Sequence, residues 1–200
     1  GEVLLLLRQL LPVLAVVHGR GLVHGDVNPR NLLRRSADGL PVLLDFGLVQ
    51  AEGEEQLTGA TPGYAPRAQG RGEACAAWMD LHGLGVSSLV LLTGRPPEQL
   101  ISPSEEGWCW PEQLQVTDVF KDVLQRLISE DPKRRFADAA SALAALKSVP
   151  MPEQSGPMAR ADRTVPLAPV ASAVAEPALP SLTPAATPSR RLSRVEEREL

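Results

Sequence analysis

The chain has 200 residues, 44% of them hydrophobic, with a formal net charge of -4 and a pI near 5.5. That length allows one domain, or a domain with a tail, of globular composition, and the acidic balance gives no reason to expect nucleic-acid binding. The two cysteines, Cys75 and Cys109, have neither the number nor the spacing of a zinc site or a disulfide framework, which fits a reducing, cytoplasmic location.

The sequence opens on Gly1 rather than methionine and reads as a piece of a longer protein. The apolar run Val3 to Val17 is interrupted by Arg8, Gln9 and Pro12 and is shorter than the roughly 20 residues that span a bilayer. No small-residue cleavage pattern follows it, so the spacing predicts a buried helix over Leu4 to Val17 and no membrane segment. After it comes "LVHGDVNPRNLL", Leu22 to Leu33, then "VLLDFG", a short apolar run ending in a turn, as in a strand or hairpin arm. Leu84 to Leu92 is apolar nearly all round and predicts a helix in the middle of a core. Val119 to Ile128 and Ala137 to Leu146 have amphipathic spacing, with Pro132 opening the stretch between them.

The composition changes near Pro150. Every aromatic residue lies before that point, and nine of the nineteen prolines lie from there on. A segment of Pro, Ala, Ser and Thr cannot bury enough apolar surface to offset its ordering entropy, roughly 1–2 kcal/mol per residue for the backbone alone. The expectation is a mainly α domain over 1–148 and a disordered tail or linker over 149–200.

"LVHGDVNPRNLL" places a histidine, an aspartate and an asparagine at H-x-D-x-x-x-x-N spacing. Phosphoryl transfer needs a base to orient the attacking hydroxyl and oxygen ligands that hold magnesium on the phosphates. Asp26 suits the first task. Asn31 offers a neutral amide oxygen and Asp45 a carboxylate, and hard oxygen ligands of this kind suit magnesium, which keeps several waters. Taken singly, each is ordinary: an Asp or Asn in a loop usually caps a helix or makes a turn, and His24 alone reads as a packed histidine.

In combination the sequence resembles the serine/threonine protein kinases. "LVHGDVNPRNLL" looks like their catalytic loop, "LLDFGL" like the metal-binding turn and "GATPGYAP" like the end of the activation segment. "DLHGLGVSSLVLLTGRPP" looks like the central helix of the large C-terminal lobe, and "DPKRRF" like the turn before its last helices. The resemblance covers about residues 1–148. It implies a helical lobe with a small catalytic β-hairpin, ATP and Mg2+ as cofactors, and a protein substrate. By the same resemblance Asp26 is the catalytic base, Asn31 and Asp45 are magnesium ligands, and Leu33 lies under the adenine ring. Thr61 contacts Asp26 and helps seat the substrate hydroxyl, Asp80 accepts backbone N–H groups of the catalytic loop, and Arg135 is a buried structural guanidinium.

Four departures qualify that reading. Gly25 stands where the family has the arginine that binds an activation-loop phosphate, so activity is expected to be independent of phosphorylation at Thr58 or Thr61. Asn28 stands where the family has a lysine; its amide can donate to the γ-phosphate but carries no charge, a loss that typically costs about 2.7–4 kcal/mol per stabilising donor. Ala68 occupies the position of the glutamate that would pair with Arg135, which leaves a buried guanidinium without its usual carboxylate, a costly state unless another acceptor is near. Finally, the three lysines, Lys121, Lys133 and Lys147, all follow Asp45, and no glycine-rich loop or phosphate-anchoring lysine precedes the catalytic loop in these residues. The 200 residues alone are therefore expected to be inactive. Two other readings belong to different classes: a pseudokinase or scaffold that binds without transferring, and a small-molecule phosphotransferase of the aminoglycoside or choline type, whose His-Gly-Asp loop Gly25 fits.

Smaller features read simply. Glu52, Glu54 and Glu55 form a solvated acidic loop, Trp108 and Trp110 pack a long loop against the lobe, and "RRLS" ending at Ser193 resembles a site for basophilic kinases.

Overall fold

Leu4, Leu7, Leu11 and Leu14 recur at the three- and four-residue spacing that puts side chains on one face of a helix, and with Leu10 they form the buried stripe of α1 (Glu2–His18). In the computed structural model, which describes residues 1–55, 59–100, 108–110 and 114–151, this helix carries Pro12 inside it on an exposed position. The sequence expectation of Leu4 to Val17 is thus met with a turn's margin. No described helix is long and apolar enough to cross a membrane.

Two antiparallel ribbons follow. β1 (Leu22–Val23) pairs with β4 (Gln50–Ala51), and β2 (Leu32–Arg34) pairs with β3 (Pro41–Leu43) in the register Leu32 to Leu43. The second ribbon is a hairpin closed by the Arg35–Asp38 ion pair and by Gly39 at φ 71. Single short ribbons are unstable alone in water, and these lie against helices. The long, continuously apolar segment becomes α3 (Ala77–Thr93), buried without a break from Ala77 to Leu89. It begins well before the apolar run at Leu84, because its first two turns bury polar residues that have partners.

After the four-residue helix α2 (Arg67–Gly70) and α3, α4 (Asp118–Leu127) buries Phe120, Val123, Leu124 and Leu127. Thr117 opens it by accepting the Phe120 N–H. Asp138 does the same for α5 (Ala139–Lys147) through the Ser141 N–H, and that bond holds its carboxyl below the usual range. α1, α3, α4 and α5 enclose one hydrophobic core. The expected tail lies outside the described residues beyond Met151, as do Thr58 and Ser193.

Candidate active site

The site is built at the N-terminal end of α3. Asp80, in the first turn of that helix and 1% exposed, accepts three hydrogen bonds: from His24 N–H at 2.8 Å and His18 Nε2 at 2.9 Å on Oδ2, and from Gly25 N–H at 2.9 Å on Oδ1. A carboxylate there is also favoured by the helix dipole. Gly25 takes φ 83, a conformation glycine adopts without strain. Its carbonyl is held in turn by buried Gln69, whose Nε2 donates at 2.7 Å. Helix α3 approaches so closely that a β-carbon on Gly83 would lie 2.5 Å from the Val27 carbonyl oxygen, so no larger residue fits there without moving the loop.

His24 is fully buried. Its Nε2 donates to the Leu44 carbonyl at 2.9 Å, which requires the proton on Nε2 and leaves Nδ1 to accept the Asp26 N–H at 3.3 Å. Phe46 meets the ring edge-on, with centroids 4.9 Å apart. His24 is therefore a packed bridge between the loop and the strand end that carries Asp45, in agreement with its plain reading.

Asp26 is half-buried and held by two segments. Thr61 donates its N–H to Oδ1 at 2.8 Å and its hydroxyl to Oδ2 at 3.1 Å, while Asn31 Nδ2 donates to Oδ2 at 3.0 Å and to the Asp26 carbonyl at 2.9 Å. The contact expected between Thr61 and Asp26 is present. Asn28 differs from its expectation. It is 1% exposed, both of its amide hydrogens are committed, to the Asp26 carbonyl and to Thr61 Oγ1 at 3.1 Å each, and its Oδ1 accepts the Arg30 N–H at 2.9 Å. No hydrogen remains for a phosphate; Asn28 positions the loop.

Asp45 sits just beyond β3 at φ 57 and ψ 76, the one described non-glycine residue at positive φ. Aspartate tolerates that conformation because its side chain bonds locally, here accepting the Gly47 N–H at 3.2 Å. Its carboxylate is exposed. The Leu44 N–H donates to the Asn31 carbonyl at 2.8 Å, so Asn31 and Asp45 share one end of the β2–β3 ribbon. Asn31 spends both amide hydrogens on Asp26, and its Oδ1 receives no hydrogen bond among the described residues. A free amide oxygen beside an exposed carboxylate fits a magnesium ion that completes its shell with water and phosphate oxygens. Among the described residues no trio of His, Cys, Asp or Glu gathers into a metal site of its own. Leu33 lies beside them on β2, 54% exposed, an apolar surface free to receive a flat ring.

Arg135 is half-buried rather than sealed in. Its guanidinium stacks 3.9 Å over the Trp78 ring and donates to the Glu130 carbonyl at 3.2 Å. Desolvation lowers its pKa, and Asp131 and Glu130 offset that. Ala68 instead packs with Trp78 and Met79 in a small apolar cluster. The Glu130 carboxylate accepts the Arg67 N–H at 3.0 Å, so it ties α2 to the turn that carries Arg135. Sequence reading missed Glu130, Gln69 and Arg30; their only signal was polarity beside a motif.

Glu52, Glu54 and Glu55 are exposed as expected, although Glu52 Oε1 also accepts the Ala77 N–H at 3.3 Å and caps α3. Trp108 packs near His82 with ring centroids 6.1 Å apart, and Lys121 lies 5.3 Å over Trp110. A concavity of about 1000 Å³ opens beside Thr61, lined by Pro62, Gly63, Arg67, His82, Trp108 and Glu130 among others; Asp26 does not line it.

His82 is buried in that wall and donates from Nδ1 to the Tyr64 carbonyl at 3.1 Å; burial lowers its pKa from 6.5. The unfolded chain takes up a proton near 6.5 that the folded chain refuses until lower pH, so this stability is full above 6.5 and declines as pH falls from there. His82→Asn, which keeps a donor for Tyr64, is expected to flatten the fall in urea midpoint between about pH 7.5 and about pH 5.5. An identical fall in both proteins would refute the assignment.

The family model described as protein kinase domain matches residues 2–147. The serine/threonine-protein kinase PknA of Nostoc sp. is 34% identical over 154 residues, covering 71% of this chain and 27% of that protein. Serine/threonine-protein kinase F of Synechocystis sp. is 37% identical over 153 residues, covering 72% and 31%. The chain thus spans about a third of the length of these relatives. Among solved structures, the PK-1 kinase of Cydia pomonella granulovirus superposes with a TM-score of 0.58 at 19% identity, over 70% of this chain and 56% of the viral one, a likeness of fold.

Proposed function

The chain belongs to the protein kinase family, and on that premise we propose that it forms the catalytic-loop lobe of a serine/threonine protein kinase that uses ATP and Mg2+. The observation that carries this reading is Asp26: a carboxylate fixed on both oxygens by Thr61 and Asn31 yet left half-exposed. When bound, Mg·ATP supplies the phosphoryl group and neutralises part of its charge.

The tasks of the catalytic loop and the metal-binding turn fall to residues of this chain. Asp26 orients a serine or threonine hydroxyl and accepts its proton. Thr61 holds the carboxylate and, through its own position, the edge of the substrate site. Asn31 and Asp45 hold the metal, Leu33 lies under the adenine, and Asn28 locks Asp26 to Thr61. Asp80 fixes the start of the loop. The substrate is a protein; relatives bearing the name serine/threonine-protein kinase support that class. The two isolated cysteines, Cys75 and Cys109, support a cytoplasmic location.

The 200 residues by themselves are proposed to be inactive, because no lysine or glycine-rich loop among them precedes Asp26 to grip the phosphates. The test is ATP binding by the full-length protein, measured by calorimetry with magnesium and with EDTA. Binding should require magnesium, and Asp45→Asn should weaken it by at least on the order of tenfold. Equal affinity in EDTA would sink the catalytic reading in favour of a scaffold. Transfer to aminoglycosides or choline, with none to protein serine or threonine, would point to the small-molecule phosphotransferases instead.

A further inference from the structure

We infer that Arg30 supplies the positive charge that neutralises the transferring phosphoryl group, a task position 28 cannot perform in this chain. The inference rests on the phosphotransfer reading above. Three observations on the loop carry it.

First, Asn28 is neutral, sealed from solvent, and has both amide hydrogens committed inside the loop. Second, the Arg30 guanidinium is exposed, and its Nη2 lies 3.2 Å from Thr61 Oγ1, the same hydroxyl that donates to Asp26 Oδ2 at 3.1 Å. One shared oxygen therefore separates this cation from the proposed base. Third, no carboxylate among the described residues forms an ion pair with Arg30, although Arg35 and Arg71 both have one. A guanidinium has five N–H donors, and only one of those on Arg30 has a partner among the described residues.

The side chain starts from a fixed point. Arg30 lies in the tight turn Pro29–Asn31, with its N–H held by Asn28 Oδ1 at 2.9 Å. Asn28 thus anchors the residue that replaces it in charge. In phosphoryl transfer the attacking and leaving oxygens are roughly in line and charge spreads over three equatorial oxygens, which a planar fork of donors next to the base can meet.

The test uses the full-length protein with Arg30→Ala, Arg30→Lys, and Arg30→Ala combined with Asn28→Lys. Arg30→Ala is expected to lower kcat about a hundredfold with little change in KM for ATP or protein substrate. Arg30→Lys and the double variant should both recover part of the loss, since each returns a cation to the loop. Independently of turnover, Arg30→Ala should weaken binding of MgADP with aluminium fluoride, a mimic of the group in flight, while leaving MgADP alone unchanged. A rise confined to KM for the protein substrate would overturn the inference and make Arg30 a reader of acidic residues. Equal weakening of both nucleotide complexes would overturn it as structural damage. A wild-type protein that binds neither complex defeats the phosphotransfer reading first, and this inference with it; full kcat in Arg30→Ala defeats this inference alone.

Discussion

Asp80→Ala is expected to cost most or all of the stability of the domain. Among the described residues its carboxylate is the sole partner of three donors buried at the loop: the His24 and Gly25 N–H groups and His18 Nε2. Each orphaned buried donor costs about 1–3 kcal/mol, and a whole domain has only about 5–15 kcal/mol to lose. His18 makes the loss worse, because its Nδ1 is already buried without a partner among the described residues. Asp80→Asn should fall between, since one oxygen survives while the amide turns donors toward donors. Urea midpoints for the three proteins decide the point. A loss below about 1 kcal/mol for the alanine variant would mean that the loop is held elsewhere.

Asp26→Asn is expected to remove catalysis and spare the fold. A positioned general base contributes about 10²–10⁴ in rate, and the amide cannot accept the hydroxyl proton. The variant keeps an oxygen for the Thr61 N–H, and Asn31 keeps its second bond, to the Asp26 carbonyl at 2.9 Å. Single-turnover transfer in the full-length protein should drop by that factor while the melting temperature stays close to that of the wild type. Transfer at more than a tenth of the wild-type rate would remove Asp26 from the role of base.

Much of this was legible in the residues, and what was not has a physical reason. Helix α1 could be read because its leucines repeat at helical spacing from Leu4 to Leu14. Helix α3 could be read by apolarity only from Leu84, since its opening turns bury Asp80 and His82, polar side chains whose burial is compensated by hydrogen bonds that no local pattern announces. The spacing of Asp26, Asn31 and Asp45 singled out three candidates that the structure gathers, because Asn31 bonds Asp26 and the β2–β3 ribbon brings Asn31 and Asp45 to one end. The fate of the Asn28 amide was not legible. It depends on Thr61, thirty-three residues on, and a choice among competing acceptors is made by tertiary packing. Which acceptor Arg135 would find was not legible for the same reason: its stacking on Trp78 and its bond to the Glu130 carbonyl depend on folding.

Helix α1 has its most extensive contact with α5, and Arg8 donates to the carbonyls of Leu146 and Val149 at 3.0 and 2.6 Å, well over a hundred residues away. During synthesis the leucine stripe of α1 therefore leaves the ribosome long before the helix that covers it. At about 5–20 residues per second the wait is on the order of ten seconds, far longer than collapse takes. For that interval the nascent chain shows a sticky amphipathic segment without its full native cover, the kind of surface that holdase chaperones bind. Slow codons between the two helices would lengthen that exposure and lower the yield of folded protein without changing a single residue.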